Sequence, residues 1–222
     1  MGRNFELANT AKHPCLLLCE GVDEKNFLIW YINNHLRKES AVYDNIQIYD
    51  FGGNEELPRK LALLPAVAGF DGIRGLGIVR DAEGDAVGAE ESIKNCLIQR
   101  NIDAAYYLLP GKDKSGKWQN GTLEDLCVNI LKESFDTDEL PRKEIVCFVD
   151  EFLAKVERAR SCKFARKHKN LLHTVFSGTD KLVTAKIGEA ARMGAFDWES
   201  DFLNDLRQFL FELAQRGEQA GN

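Results

Sequence analysis

Short apolar runs alternate with segments of helical composition over the first half of the chain, and this alternation restricts the fold more than any other feature. The run CLLLC at residues 15–19 has strand length, and residues 45–51, 74–81 and 103–110 resemble three further strands. Strands separated by helices pair in parallel, and helices then cover both faces of the sheet. We therefore expect an α/β fold with a parallel sheet of about four strands flanked by helices.

After Gly111 the alternation of strand-like and helical segments ends. Residues 111–121 (GKDKSGKWQNG) form a polar stretch punctuated by glycines, which is typical of a loop, and the segments from Thr122 onward are helical in pattern. Neither an internal repeat nor a low-complexity linker interrupts the sequence. We expect an α/β core over residues 1–121 and a helical C-terminal cap over residues 122–222, packed together as one unit.

Composition narrows the function classes. The net charge of -6 argues against a protein that coats nucleic acid through bulk charge, although a local basic face remains compatible with it. No window approaches the roughly 20 apolar residues of a membrane helix, and the first residues lack the apolar core of a secretory signal. The six cysteines include no C-x-x-C pair, which favours reduced thiols, mostly in the core. We expect a cytoplasmic protein with no membrane partner.

Acidic residues follow two of the expected strands. They are Glu20 and Glu24 after the first strand, and Asp81, Glu83 and Asp85 after the third. In parallel sheets ligands collect outside the carboxyl ends of the strands, and the first and third strands of a doubly wound sheet can be neighbours. Converging carboxylates suit hard cations such as Mg²⁺ or Mn²⁺, which assist phosphodiester cleavage.

Each acid also has a structural explanation when it is considered alone. Asp23 and Glu24 suit the first turn of a helix, where the helix dipole favours negative charge, and Asp85 suits a helix cap. Glu20 and Asp81 together stand at two strand ends on one edge of the sheet, and this combination favours a metal-binding role over separate structural roles.

Two basic stretches are candidates for contact with a nucleic-acid backbone. In the loop after the fourth strand the candidates are Lys112, Lys114 and Lys117. Residues 155–169 hold seven Lys or Arg against the single acid Glu157, and there the candidates are Lys163, Arg166, Lys167 and Lys169. The alternative for the second stretch is a solvated helix face.

The first loop also matches the start of a phosphate-cradling P-loop, G-x-x-x-x-G-K. Trp118 stands where that motif needs a hydroxyl for Mg²⁺, so a lysine-bearing loop is the preferred interpretation, and a nucleotide-dependent enzyme is a minor alternative. His173 lies between apolar residues and is expected to be buried rather than catalytic.

The segments LLLCEGVDEKNFL, IYDFGGNEEL and GLGIVRDAEGD together resemble a TOPRIM domain, and the resemblance is closest to stand-alone TOPRIM-like proteins of the OLD (overcoming lysogenization defect) nuclease type. By this resemblance Glu20 and Glu24 match the E-G-x-x-E motif, and Asp81 matches the first aspartate of D-x-D. Glu83 occupies the place of the second aspartate with a longer arm, and Asp85 is its candidate substitute. Glu124 resembles an additional acid that OLD-type domains carry.

The resemblance implies a Mg²⁺- or Mn²⁺-dependent phosphodiester-processing enzyme, a DNA or RNA nuclease. Glu20, Asp81 and Glu83 would be catalytic and hold the main cation, and a second cation would be held or oriented by Glu24, Asp85 and Glu124. We expect no ATPase domain of the kind that full-length OLD nucleases carry, so nucleotide control would come from a separate ATPase or partner protein. The alternative is a non-catalytic TOPRIM-fold subunit that binds nucleic acid or a partner protein.

Overall fold

The computed structural model describes residues 13–133 and 142–218. Its centre is a four-stranded, all-parallel sheet with the strand order β2-β1-β3-β4. The strands are β1 (Cys15–Cys19), β2 (Ile46–Asp50), β3 (Gly75–Asp81) and β4 (Ala105–Leu109). The expected α/β class, the parallel pairing and the proximity of the first and third strands are confirmed.

Nine α-helices surround the sheet within the described ranges. They are α1 (Val22–Asn34), α2 (Ser40–Asn45), α3 (Leu57–Leu63), α4 (Ala86–Arg100), α5 (Leu123–Glu133), α6 (Arg142–Arg160), α7 (Lys167–Ser177), α8 (Ile187–Arg192) and α9 (Asn204–Glu218). All helices from α5 onward follow the last strand, so the chain ends in a helical region as expected. No helix in these ranges has both the length and the apolar character needed to cross a bilayer.

Both faces of the sheet are buried because successive side chains of a strand point to opposite sides. Leu17 and Cys19 of β1 belong to the core that includes α1, α5 and α9, whereas Leu16 and Leu18 belong to the core that includes α3 and α4. This two-sided burial explains why β1 is a wholly apolar run rather than an alternating one.

Helix α9 packs closely on β3. A Cβ atom added at Gly77 would lie 2.7 Å from Cδ2 of Leu213 and 3.3 Å from Cζ of Phe209. Glycine at position 77 therefore allows α9 to approach the sheet. The helical C-terminal region thus shares a hydrophobic core with the strands.

Three expectations about individual segments were wrong. The helical pattern of residues 86–101 predicts that Val87, Ile93, Leu97 and Ile98 point inward. Val87 and Ile98 are instead 67% and 76% exposed, and the buried face consists of Ala86, Ala89, Ile93 and Leu97. Small alanines let the helix backbone lie close to the strands. The segment KLVTAKIGEAARMG at residues 181–194 is helical in pattern, but only residues 187–192 form a helix. Cys147 and Cys162 are exposed rather than in the core.

Candidate metal centre

The carboxyl ends of β1 and β3 place two acids side by side. Glu20 follows β1 directly, and Asp81 is the last residue of β3, the neighbouring strand. Asp81 is only 8% exposed, and the backbone N–H of Leu123 donates a hydrogen bond to its Oδ1 at 2.9 Å. The start of α5 therefore holds Asp81 from across the edge of the sheet.

Asp81 belongs to a cluster of mutually repelling carboxyl groups. Burial and the nearby charges of Glu24, Glu20 and Glu124 raise the pKa of Asp81 to about 9. Burial, Glu20, Asp23 and Glu124 likewise raise the pKa of Glu24 to about 7. Four acids from three parts of the chain thus lie within electrostatic reach of one another, and we call Glu20, Glu24, Asp81 and Glu124 the acidic cluster.

Glu20 is the least satisfied member of the acidic cluster. Its Oε2 atom is buried and has no hydrogen-bond partner. Burial is the main cause that raises the pKa of Glu20, and the charge of Glu83 adds to it, whereas Arg80 acts in the opposite direction. A buried carboxylate oxygen without a partner is costly, so this atom is suited to accept a cation.

Gly21 makes room for the Glu24 carboxylate. A Cβ atom added at Gly21 would lie 2.7 Å from Oε2 of Glu24. Any larger residue at position 21 would therefore push this carboxylate away from its place in the acidic cluster.

The side chains of the acidic cluster are not yet arranged to coordinate a metal ion. Across residues 13–133 and 142–218, no three acidic, histidine or cysteine side chains are already arranged to hold a metal ion. Glu20, Glu24 and Glu124 are close enough to Asp81 to raise its pKa, but side-chain movements are needed for the four carboxyl groups to converge on a cation.

The remaining two predicted acids lie at the rim. Glu83 is exposed and has a positive φ of 54°, and its backbone exchanges two hydrogen bonds with Gly121. Its charge reaches Glu20. Asp85 is the N-cap of α4, and its Oδ1 accepts a hydrogen bond from the N–H of Gly88 at 3.0 Å. This geometry matches the structural explanation of Asp85.

Asn120 and Gly121 were not singled out from the sequence, yet they fix the loop after β3. The Asn120 side chain accepts from the N–H of Ala86 and donates to the carbonyl of Gly84, both at 2.8 Å. The loop before α5 is thereby attached to the loop that follows Asp81. Amides inside a polar loop give no distinctive sequence signal, so only the tertiary contact reveals this role.

Asp125 and His168 form a second connection that the sequence did not indicate. The N–H and hydroxyl of Thr122 both donate to Oδ2 of Asp125, which caps the start of α5. Oδ1 of Asp125 lies 2.6 Å from Nδ1 of His168 at the start of α7. These contacts attach α7 to the end of α5 that holds Asp81.

The lysines of the loop after β4 are exposed at the same edge of the sheet as the acidic cluster. They are Lys112, Lys114 and Lys117. Asp113 organises the loop by accepting hydrogen bonds from the N–H groups of Ser115 and Lys117. The ammonium group of Lys112 lies 4.7 Å from the centre of the Trp118 ring. The loop is thus folded on itself and leads directly into residues 120 and 121.

The second basic stretch is largely paired with acids of the same chain. Lys163 pairs with Glu157 at 3.1 Å, Lys167 pairs with Asp150 at 2.6 Å, and Lys169 lies 3.8 Å from Oε1 of Glu124. Arg166 is exposed at the start of α7. Lys169 is therefore the member of this stretch that reaches the acidic cluster.

A cleft of about 110 Å³ opens beside the cluster, between α1, α5, α7 and the start of α8. Its polar lining consists of Asp23, Glu124, Lys169, His173 and Lys186. His173 is exposed, so the expectation that it is buried was wrong, because α7 turns its Leu172 and Phe176 side inward instead. The cleft offers both anionic and cationic groups to a ligand.

A model of a protein family described as a protein of unknown function (DUF3226) matches residues 14–215. No curated protein and no solved structure matches the chain. Because the match spans most of its length, the chain belongs to this family.

Proposed function

We propose that this member of the DUF3226 family is a Mg²⁺- or Mn²⁺-dependent phosphodiester-processing enzyme, a DNA or RNA nuclease of the TOPRIM type. The observation that carries the proposal is the gathering of Glu20, Glu24, Asp81 and Glu124 at the carboxyl edge of a parallel sheet. Like charges held this close in a buried position need a proton or a cation to neutralise them. A cytoplasmic location is part of this proposal.

The acidic cluster supplies the ligands of the proposed centre. Glu20 and Asp81 would hold the cation, because Asp81 is buried and the half-buried Glu20 has a buried oxygen without a partner. Glu24 and Glu124 would complete the site or hold a second cation. Glu83 would contribute from the rim if its exposed side chain turned inward, whereas Asp85 keeps α4 capped.

A bound Mg²⁺ supplies Lewis-acid stabilisation of the negative charge that develops on a phosphodiester during cleavage. The protein would position the cation, because the N–H of Leu123 orients Asp81. The two backbone hydrogen bonds between Gly121 and Glu83 anchor the loop that follows Asp81. Preorganised groups of this kind stabilise a transition state without further rearrangement.

Contacts to the nucleic acid would come from cations around the cluster. Lys169 and Lys186 line the adjacent cleft, and Lys112, Lys114 and Lys117 stand exposed on the loop at the same edge. Arg166 would extend this surface, whereas Lys163 and Lys167 are already engaged with acids. Lysines bind phosphates as point charges, so this surface would favour the backbone over the bases.

A specific observation favours the second candidate, a non-catalytic subunit of the same fold that binds nucleic acid or a partner protein. Lys169 lies beside Glu124, and the positive charge of Arg80 acts on Glu20. Cations of the chain itself thus already neutralise part of the acidic cluster. In this case the acids would have a structural role, and added metal would change little.

Metal binding and cleavage together distinguish the two candidates. We expect Mn²⁺ and Mg²⁺ to raise the Tm of the wild type, since a ligand at a hundredfold excess over its Kd stabilises the folded state by about 2.7 kcal/mol. Asp81→Asn and Glu20→Gln should lose this response. Asp71→Asn, which changes an exposed aspartate preceding the amino end of β3, is the matched control and should respond like the wild type.

Cleavage is then measured on plasmid DNA and on single-stranded RNA with Mg²⁺, Mn²⁺ or EDTA. We expect metal-dependent cleavage by the wild type and Asp71→Asn, and loss of cleavage in Asp81→Asn purified in the same way. A wild type that cleaves neither substrate would overturn the nuclease, and one that also shows no response to metal would favour the non-catalytic subunit. A wild type whose Tm ignores both metals would overturn the metal centre itself.

A further inference from the structure

The cleft beside the acidic cluster combines an apolar lining with polar groups that are not yet engaged. Two polar side chains of the lining, His173 and Lys186, are exposed and have no hydrogen-bond or ion-pair partner among residues 13–133 and 142–218. The apolar part of the lining consists of four buried residues, Leu172, Phe176, Ala185 and Ile187. Apolar surface with a few polar groups that orient the ligand is the usual composition of a ligand site.

The size of the cleft restricts what it can hold. Its volume of about 110 Å³ is of the same order as the ~150 Å³ of a protein cavity that accepts one benzene ring. Sites that enclose a whole drug-sized molecule are larger, at ~300–1,000 Å³. The cleft therefore has room for one ring-sized group, and the remainder of a larger ligand must stay outside it.

The charges of the cleft favour an anionic ligand once a cation is bound nearby. The lining holds two acids, Asp23 and Glu124, and two lysines, Lys169 and Lys186, so its charges balance in the metal-free protein. Lys169 lies 3.8 Å from Oε1 of Glu124. A cation in the acidic cluster would engage Glu124 and leave Lys169 without its acidic partner. The balance then becomes positive, which suits a phosphate group.

The cleft is also continuous with the proposed metal centre. Glu124 belongs to both, and the charge of Asp23 acts on Glu24 of the acidic cluster. We infer that the cleft holds one unpaired nucleotide of the substrate, with its phosphate between the cation and the lysines and its base against the apolar lining. This inference rests on the proposed nuclease, and it specifies the substrate as single-stranded nucleic acid.

A double helix could not present a base to the cleft in this way. Bases in a duplex are stacked and paired, and the removal of one base from the stack costs a few kcal/mol. An unpaired nucleotide does not incur this cost, and its base can lie on aromatic or apolar side chains whatever the sequence. We therefore expect single strands to bind more tightly than duplexes.

Fluorescence anisotropy tests this expectation with labelled oligo-dT, its RNA counterpart oligo-U, and the blunt duplex of oligo-dT with oligo-dA. Each probe is measured in EDTA and with Ca²⁺, which takes oxygen ligands as Mg²⁺ does. We expect at least one single strand to bind about tenfold or more tightly than the duplex, and Ca²⁺ to strengthen this binding. Duplex that binds as tightly as both single strands, or a wild type that binds no probe, would overturn the inference.

Lys186→Met tests whether the cleft is the place of binding. The Lys186 side chain is exposed and without a partner among the described residues, so its loss should not affect folding. We expect the variant to bind the preferred single strand several-fold more weakly, and the slope of log K against log salt to become shallower by about 0.7. The matched control is Lys38→Met, which removes an exposed lysine beyond the far end of α1 and should bind like the wild type. Equal binding by Lys186→Met and the wild type would overturn the inference.

Failure of this inference can be distinguished from failure of the nuclease. If metal raises the Tm but does not strengthen the binding of either single strand, the metal centre stands and the cleft is not the nucleotide site. If single strands bind with the expected preference and dependence on Lys186 but are not cleaved, the nucleotide site stands and the nuclease is wrong.

Discussion

At the scale of single residues, the fold places the carboxyl group of Asp81 in surroundings that disfavour its negative charge. Its carboxyl is buried, receives one backbone hydrogen bond and is surrounded by three further acids. Burial and these neighbours raise its pKa from an ordinary value of 3.8 to about 9. Without metal the folded protein therefore keeps a proton on Asp81 at neutral pH, whereas the unfolded chain has released it.

This difference predicts how the stability of the metal-free protein depends on pH. Between about pH 4 and pH 9 the folded state binds the extra proton, so the free energy of unfolding falls as the pH rises through this window. Asp81→Asn carries no such proton and keeps an oxygen that accepts from Leu123. We expect it to melt several degrees above the wild type at pH 8, since about 1 kcal/mol corresponds to ~2–4 °C for a chain of this size.

Thermal melts in EDTA at pH 5 and pH 8 measure this prediction. The advantage of Asp81→Asn should shrink at pH 5, and Asp71→Asn should show no advantage at either pH. With added Mn²⁺ the order should reverse, because only the wild type gains the stability of the bound cation. An Asp81→Asn protein that melts below the wild type at pH 8 in EDTA would show that Asp81 is ionised and stabilising in the folded state.

At the scale of elements, the start of α5 connects the helical region to the site. The N–H of Leu123 donates to Asp81, and two residues further on Asp125 caps the helix and contacts His168 of α7. Burial works to raise the pKa of Asp125, but the contacts from His168 and Thr122 outweigh it and hold the pKa below its usual range. The ionised form of Asp125 therefore stabilises the fold, and this stability is lost only as the pH falls below about 4.

Asp125→Ala is expected to destabilise the protein by about 1–2 kcal/mol, because the helix loses its cap and the contact with α7. It should also weaken the binding of Mn²⁺, since the N–H of Leu123 is no longer held against Asp81. Urea denaturation measures the first effect and a metal titration of the Tm measures the second. If Asp125→Ala matched the wild type in both, α5 would be positioned by its buried face alone.

The elements also show where reading the sequence stops being sufficient. The apolar run of β1 and the helical period of α1 are local features, so their types and order were predicted correctly. The orientation of α4 was not predicted correctly, because Val87 and Ile98 are as apolar as the residues of α4 that are buried. The choice between these faces depends on Ala86 and Ala89, which allow the closer approach to the sheet.

At the scale of the whole molecule, strands and C-terminal helices share one core. Leu206, Phe209, Leu210 and Leu213 of α9 are buried together with β1 and β3 residues. Burial of one such side chain is worth about 1.5–3 kcal/mol, and a domain has only about 5–15 kcal/mol of net stability. The loss of α9 alone would therefore consume most of that stability.

The fragment of residues 1–121 is accordingly expected to have no cooperative unfolding transition. Circular dichroism melts and limited proteolysis compare it with the full chain, which should unfold in one transition. A fragment with a sigmoidal melt and resistance to protease would show that the α/β part folds independently of the helical region.

By itself the sequence determined the class of fold and the position of the principal acids. The apolar runs and their spacing encode the order of strands and helices, and Glu20 and Asp81 stand directly at strand ends, so their edge of the sheet follows from local pattern. Glu124 was placed near them only through family resemblance, because its position depends on how α5 docks.

The tertiary structure alone decided how the surroundings of these acids are connected. The hydrogen bond from Leu123 to Asp81, the loop contacts of Asn120 and the approach of Lys169 to Glu124 all join residues more than 30 positions apart. Such pairs leave no trace in local periodicity or composition, since each partner alone looks like an ordinary loop or surface residue. They become defined only when α5 and α7 pack against the carboxyl edge of the sheet.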